Sequence, residues 1–537
     1  MHTNRTFRGV GAGTVVAVDD RRRRMPGHLC LPSGTVWAFV LTCCVVSALN
    51  GGEAAAAKQS VATGINVQET LTDNPLLKAE PTGGSDFVTE IAPYVRIRED
   101  GDRLNFNFEY SPRLLLYAGN PSEDVVRNYL KADARAELVE NLFFTDAKAR
   151  VAQDRRSPFG SSQSDSSTSN ANLVETYTLE VSPYLLGKFG EDLAWEVRNR
   201  TIWNRSNGTN LDNNDRVSWL ASLATPIRLF GLRTDLSRDE TSNQADPHDL
   251  TTDIARTYLY FQPQSGLRFT AIGGAERNNY TLDARNQVIY GTGVDWKPTP
   301  RTSASAQWQE RFFGPSYLLN IDHRTRMTAW NLAYSRDISS YQQELFRQAP
   351  GNTVSLLDNL LLSRFPDSTA REDEVQKLLT NTGLAAFMAN PLTYSTRQVS
   401  LIERIQAGFV IAGVRNAISL VAFRSTNQRV SDAVPLLAGD AYLIANKFTQ
   451  TGYGVNLSHK LTPLQTLNAD WLHTLTEGED PTGSKSVQDE FHIRWSRPLG
   501  PRTNVFAVAR YVKFDSVGSG FQDYRERAIV GGIAHSF

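Results

Sequence analysis

The residues that could do chemistry are few. The chain has eight histidines, and six lie beyond position 57: His248, His323, His459, His473, His492 and His535. A hydrolytic site needs a nucleophile with a base in hydrogen-bond reach. None of these histidines falls in a recognisable Ser/His/Asp arrangement, although His473 and His492 are expected near one loop. The HExxH zinc spacing, the phosphate-binding loop and the glycine-rich dinucleotide fingerprint are all absent. The three cysteines, Cys30, Cys43 and Cys44, all lie in the first 57 residues. The remainder has no thiol nucleophile, no Cys metal ligand and no disulfide. This reading assigns no catalytic residue, no cofactor-binding residue and no metal ligand.

A second set of polar residues has a different pattern. Arg96, Arg98, Glu180, Glu196, Arg198, Asp295 and Arg494 alternate with apolar neighbours. Leu104, Phe106, Phe108 and Tyr110 interleave with Asn105, Asn107 and Glu109. Tyr177, Leu179 and Val181 interleave with Thr178, Glu180 and Ser182. Similar runs surround Trp195, Tyr290, Trp330 and Phe491. Period two with one apolar face is the signature of a half-exposed strand. In a soluble sandwich the apolar face would form a core. In a membrane barrel it would meet lipid, and the seven charged residues would line a polar lumen.

The connections favour the barrel. Short polar turns recur at Glu99–Arg103, Gly187–Glu191, Thr225–Arg228, Gln264–Gly266, Pro298–Arg301, His323–Arg326, Ala412–Gly413, Thr462–Leu464 and Arg497–Arg502. Longer connections lie between them, at 73–85, 156–172, 240–250, 427–447 and 477–485. Membrane barrels place short turns on the periplasmic side and long loops outside. The expected fold is an all-β transmembrane antiparallel barrel of about 22 strands, an even number in a range of roughly 18–24. It covers residues 58–537.

Residues 1–57 read as a secretory signal peptide behind an N-terminal extension. Arg21–Arg24 form the charged region, Val36–Val46 the short apolar run, and Ala54–Ala57 the cleavage region. The twin-arginine pattern is incomplete, and Thr42 before Cys43 makes a poor lipidation site. The expected address is the outer membrane of a Gram-negative bacterium, reached by the general secretory route. A net charge of −1 gives no reason to expect a nucleic-acid partner. The mean hydropathy of −0.36 suits a barrel, in which only alternate residues face lipid.

Residues 338–394 interrupt the strand pattern. Val354, Leu356, Leu357, Leu360 and Leu361 have helical spacing. A second helix is expected to start at Thr369, where Thr369 and Glu372 form a capping box, followed by Val375, Leu378 and Leu379. Turn parity places the insertion on the outer side. It is expected as a plug in the lumen, a lid over the mouth or a decorated surface loop.

The C-terminus reads Ala528 to Phe537, with Gly532 five residues before the terminal aromatic. This arrangement is similar to the signal that barrel-assembly machinery reads, so Gly532 and Phe537 are the candidate assembly signal. His535 stands where that signal usually has an apolar residue.

Several segments resemble a known family. They are Phe313-Gly314-Pro315-Ser316-Tyr317 with Asp322-His323-Arg324-Thr325-Arg326, Trp330 and Tyr334-Ser335-Arg336-Asp337. Others are Ala136 to Phe144, Gln68 to Asn74 and Ser85 to Ile91. Together they resemble the outer-membrane proteins associated with the PEP-CTERM/exosortase system, over essentially the whole chain beyond the leader. The resemblance implies a barrel connected with exopolysaccharide or surface-protein export, as a conduit or scaffold. It supplies no functional residues. The implied partners are outer-membrane lipid, the barrel-assembly machinery, and exopolysaccharide or export-system components. A general solute porin and an outer-membrane enzyme are the alternatives.

Overall fold

The computed structural model describes the chain from Lys58 onward, apart from 80–83, 162–166, 169–171, 208–212, 244–245, 282–284, 346–352, 363, 369, 373, 376–378, 380–393, 432–433, 435 and 437–439. The expected signal peptide and all three cysteines lie outside the described residues, as do Thr369, Leu378 and the side chain of His248.

Twenty-two strands follow one another. The first group is β1 (Lys58–Thr72), β2 (Asp86–Asp100), β3 (Leu104–Tyr117), β4 (Val125–Val139), β5 (Phe143–Arg155), β6 (Leu173–Phe189), β7 (Leu193–Ser206) and β8 (Asn214–Ala224). Next come β9 (Phe230–Asn243), β10 (Asp246–Gln264), β11 (Leu267–Asn278), β12 (Arg285–Thr299), β13 (Thr302–Arg311), β14 (Gly314–Arg324) and β15 (Thr328–Ser339). The ring ends with β16 (Ser400–Ala412), β17 (Asn416–Arg429), β18 (Lys447–Thr462), β19 (Gln465–Gly478), β20 (Lys485–Pro498), β21 (Thr503–Val517) and β22 (Tyr524–Ser536). Each strand pairs antiparallel with its sequence neighbours, as Lys58↔Asp100 begins β1–β2. The ring closes where β1 pairs antiparallel with β22, from Gly64↔Ser536 to Thr72↔Ala528. Closure leaves no edge strand, which removes the unpaired backbone groups that hydrocarbon could not satisfy.

The register assigns every strand residue to one of two faces. One carries exposed large apolar side chains, among them Phe87, Trp219, Leu259, Phe269, Tyr290, Trp296, Trp330, Phe491 and Ile529. That face is the outer wall. The other carries the polar residues and meets the chain segments that fill the interior.

The start of β1, the end of β22 and ten short turns lie at one end of the barrel, here the short-turn end. One of these turns, Val139 to Phe143, has no counterpart among the expected turns. The opposite, loop end holds the longer connections, with two corrections. The stretch 240–250 is not a long connection: β9 runs to Asn243 and β10 starts at Asp246. Strand pairing there extends beyond the rim, and propensity gave no sign of it. Likewise β13 and β14 are joined at the loop end through Phe312 and Phe313 alone, so loop length does not alternate strictly.

Within the insertion, α1 (Tyr341–Leu345) and α2 (Thr353–Leu361) are helical. A further helical stretch includes Ser368, Ala370, Arg371, Glu372, Glu374, Val375 and Leu379. Its cap differs from the expected one. Ser368 is already helical, and Asp367 Oδ2 accepts the Ala370 N–H at 2.7 Å. An aspartate at this position is a favoured acceptor for a first-turn amide.

Candidate functional site: the filled lumen

The insertion leaves the wall at Ser339, at the loop end of β15, and crosses the interior at once. Tyr341 Oη donates to Asp154 Oδ2 on β5 at 2.7 Å. Strand β5 lies half the ring away from β16, where the insertion rejoins the wall. Arg150 holds the same carboxylate with two bonds of 2.7 and 2.8 Å. Beside it, Gln342 Nε2 donates to Asn214 Oδ1, and Arg216 Nη1 donates to Ser340 Oγ at 3.4 Å. On the near side Glu344 pairs with Arg404 of β16 at 3.0 Å. Helix α1 is thus a strut tied to β5, β8 and β16. Burial raises the Tyr341 hydroxyl well above its ordinary value, and the neighbouring Asp154 carboxylate adds to the rise.

The insertion then reaches the other end of the barrel. Leu356, Leu357 and Leu361 of α2, with Val375 and Leu379, pack on Ala329, Val410 and Ala417. Those three wall residues sit at the short-turn ends of β15, β16 and β17. A twelve-residue strand is ~40 Å long, so the insertion traverses the interior lengthwise. Arg324 Nη1 donates to Asn359 Oδ1 at 3.0 Å. Across the lumen Arg98 of β2 comes within 4.0 Å of Glu372. The apolar stripe of α2 meets wall positions that are themselves apolar, which is why an amphipathic helix can bury there.

Two other loops fold inward. Phe159, from the β5–β6 connection, packs with Tyr394, Ala441, Tyr442, Ala445 and Phe448. Thr476 Oγ1 donates to Pro158 O at 3.1 Å, Arg127 Nη1 to Thr168 O at 3.0 Å, and Arg510 Nη2 to Ser167 Oγ at 3.2 Å. One loop therefore touches β4, β19 and β21. The returning insertion pairs with the end of β5, where that loop begins: Ser395 N–H donates to Arg155 O at 2.7 Å. The β17–β18 connection closes the remainder. Asp440 accepts from Tyr442 N–H at 3.0 Å and from Thr396 Oγ1 at 3.0 Å. Tyr394 and Tyr442 hydroxyls lie 2.9 Å apart. Burial raises the Asp440 carboxyl and pushes the Tyr442 hydroxyl up to about 12.

Behind these loops the wall carries buried ion pairs. Arg510 donates to Glu526 at 2.5 and 2.9 Å, and Thr72 Oγ1 donates to Glu526 Oε1 at 2.9 Å across the β1–β22 seam. Arg311 bridges Glu276 at 2.7 Å and Asp337 at 2.5 Å. Such pairs offset their desolvation only when every partner is in place.

The two ends of the lumen therefore differ. At the loop end, inward residues are buried around the ring: Thr72, Val88, Tyr117, Asn204, Asn278, Ser339, Asn427, Thr476 and Phe514. At the short-turn end, along β2–β12, the wall carries exposed charged side chains.

The seven candidate lumen residues all stand on the inner face by register. They do not converge on one point. Arg96 donates to Glu109 at 2.8 Å, and Arg98 to Asp100 at 3.1 Å. Glu180 pairs with Arg200 at 3.3 Å. Arg198 joins Glu196 at 2.7 Å and Asp146 at 3.0 Å, with its guanidinium 3.7 Å from the Tyr184 ring centroid. Asp295 pairs with Arg268 at 2.8 Å. Arg494 stands apart, 4.3 Å from the Phe506 ring centroid.

His473 and His492 do not meet. His473 faces outward, 2.8 Å from Asp489, while His492 faces inward opposite Asp470. At the terminus Phe537 N–H donates to Thr63 O at 2.9 Å, and its ring is exposed. Gly532 faces inward, and a Cβ there would lie 2.3 Å from Phe506 Cζ.

The Tyr341–Asp154 strut, the two inward loops and the Arg510–Glu526 pair have no local sequence signature. One signal does exist for the α2 seat. Ala329, Val410 and Ala417 are apolar at neighbouring inward register positions of three successive strands.

No protein-family model and no curated protein matches the chain. Among solved structures the chain is similar to the siderophore receptor PirA from Pseudomonas aeruginosa, with 8% identity over 90% of this chain and 81% of that one and a TM-score of 0.39. PirA from Acinetobacter baumannii gives 7% identity over 89% and 81%, at 0.42. The outer membrane protein opdK from Pseudomonas aeruginosa gives 7% over 89% and 99%, at 0.33. The barrel assignment rests on the closed register of the chain's own strands.

Proposed function

We propose that this chain is an outer-membrane barrel whose passage is held shut at rest by its own insertion, a gated porin-like conduit for hydrated polar cargo. The carrying observation is the insertion itself. It runs the length of the lumen, is bolted to β5 and β8 at one end, and is seated on β15–β17 at the other. A ring of exposed apolar and aromatic side chains supports burial of the outer wall in lipid. The start of β1 and the end of β22 at the short-turn end support a periplasmic position for that end and an outside position for the loops. The resemblance to PEP-CTERM/exosortase-associated barrels supports an export role, with polysaccharide or surface components as cargo.

A non-enzymatic role is supported by the one His–carboxylate contact found among the described residues. His473 and Asp489 lie on the outer wall beside Trp471 and Tyr453, with no hydroxyl nucleophile among their hydrogen bonds.

The test is conductance in planar bilayers. The full chain should be quiet, with rare openings. A variant with 340–399 replaced by a short Gly/Ser hairpin should conduct steadily. A replacement variant that keeps its heat-modifiable gel mobility yet never conducts would sink the conduit reading.

A further inference from the structure

The short-turn half of the lumen has a property that balanced charge counts conceal. Three of its ion pairs present the cation to water and shield the carboxylate. Arg200 is 48% exposed while its partner Glu180 is 4% exposed. Arg135 is 61% exposed against 24% for Asp146, and Arg233 is 44% against 19% for Asp235. In each pair the carboxylate lies back against the wall and the guanidinium stands out into the lumen. Lys131, on the same face of β4, is exposed as well. At these three pairs a solute meets the positive end first. The carboxylates retain the arginines, and water-facing N–H groups are left to bind something else.

The wall has flat apolar surface between these cations. Arg135 and Arg198 flank the Tyr184 ring, Arg268 lies over Tyr260, and Tyr258 stacks on Tyr260. The cationic strands β4, β7, β9 and β11 are two or three positions apart, so neighbouring guanidinium groups are ~10–14 Å apart at ~4.8 Å per strand. A single small anion would satisfy one such group. A ring-bearing polymer with repeated carboxylates would satisfy several at once and lay its sugar faces on the tyrosines.

We propose that the short-turn half of the lumen, along β2–β12, is a vestibule that binds acidic oligosaccharide, entered from the short-turn mouth and blind at the loop end. The blind end follows from the buried ring of loop-end residues, and the open mouth from the exposure of Arg96, Arg135, Arg200 and Arg233. The proposal deepens the conduit reading, on which it rests only for the statement that this mouth faces the periplasm.

The experiment is calorimetric titration of the full chain in non-ionic detergent with hexagalacturonate, with maltohexaose as the neutral probe. Hexagalacturonate should bind and maltohexaose should give no heat. Combining Arg135→Gln, Arg200→Gln and Arg233→Gln should weaken binding at least about tenfold, and the corresponding Lys variants should keep most of it. Raised salt should weaken it as well. Heat-modifiable mobility and unchanged β-type circular dichroism certify the fold of each variant. Equal binding of the neutral sugar, an unchanged affinity in the Gln variant, or no binding of hexagalacturonate would each overturn the proposal. Binding is read on the closed protein, so failure to conduct leaves this result untouched, and failure to bind leaves the conductance result untouched.

Discussion

Tyr341, on the insertion between β15 and β16, and Asp154, on β5, are 187 residues apart in sequence and share a buried hydrogen bond of 2.7 Å. The bond joins an element of the insertion to the far wall. It converts a loop that could hang free into a strut with two fixed ends.

That strut gives the first prediction. Tyr341→Phe removes the donor, while Asp154 keeps Arg150 and Thr176 as partners. The loss is then the net value of one bond to a charged acceptor, about 1.5–3 kcal/mol. The closed state should weaken by that amount. In planar bilayers the opening frequency should rise at least about tenfold. An opening frequency equal to that of the unmodified protein would show that α1 does not hold the gate.

The seat of α2 gives the second. Leu357 is fully buried against the wall residues of β15–β17. Leu357→Ala leaves a cavity and should cost the docked insertion about 2–5 kcal/mol. The barrel ring does not depend on this side chain, so heat-modifiable mobility should persist. Residues beyond 57 contain no cysteine, so a single Val410→Cys probe reports the seat cleanly. Its labelling by a water-soluble maleimide should rise sharply when combined with Leu357→Ala. Equal labelling in both backgrounds would place the energy of docking elsewhere.

Acidity should act through Asp440. Burial raises this carboxyl above its ordinary value in the folded protein. A raised group binds its proton more tightly in the folded state, so its stabilisation is present in acid, below the ordinary carboxyl range. It is lost as pH rises through the raised value. The 396–440 contact should therefore hold more firmly in mild acid than at neutral pH. Asp440→Asn keeps an acceptor for Tyr442 N–H and should flatten this dependence. Hydrogen exchange of 440–445 across the acid range measures it. A profile that is already flat in the parent would refute the assignment.

The terminus yields the fourth. Deleting Phe537 removes its amide bond to Thr63 at the β1–β22 seam, together with the exposed terminal ring. Assembly into heat-modifiable barrel should fall, while the amount of protein reaching the periplasm stays constant. Unimpaired assembly would count against Phe537 as part of the signal.

The alternation of Leu, Phe and Tyr with Asn, Glu and Arg was enough to read the barrel and its strand number, because a lipid-facing wall imposes a two-residue period at every strand. The helical spacing of Val354 to Leu361 was equally plain. The path of that helix was not, because nothing local distinguishes a lid from a plug. The deciding signal sits elsewhere in the chain, at Ala329, Val410 and Ala417, where the inner side of three strands turns apolar. The strand ends near 240–250 escaped because rim residues face water on both sides and lose the alternating pattern. The asymmetry of Arg200 against Glu180 lies beyond the reach of sequence, since a pair of opposite charges has no direction until its burial is known.

The insertion is tethered at Ser339 and Ser400, neighbours on one rim, yet it packs at the opposite end. This constrains the order of events in biogenesis. A two-ended tether cannot be threaded in through the distant mouth after the ring is complete. Nor can it be shed through that mouth during opening; it can only withdraw toward the rim from which it came. Closure of β1 on β22 is therefore best timed after the insertion has entered the half-built barrel. A chain whose seam closes first must take α2 in through that same rim, past the inward loops, and would mature slowly. The ratio of empty to filled barrels would then be set by kinetics during assembly rather than by the equilibrium strength of the plug.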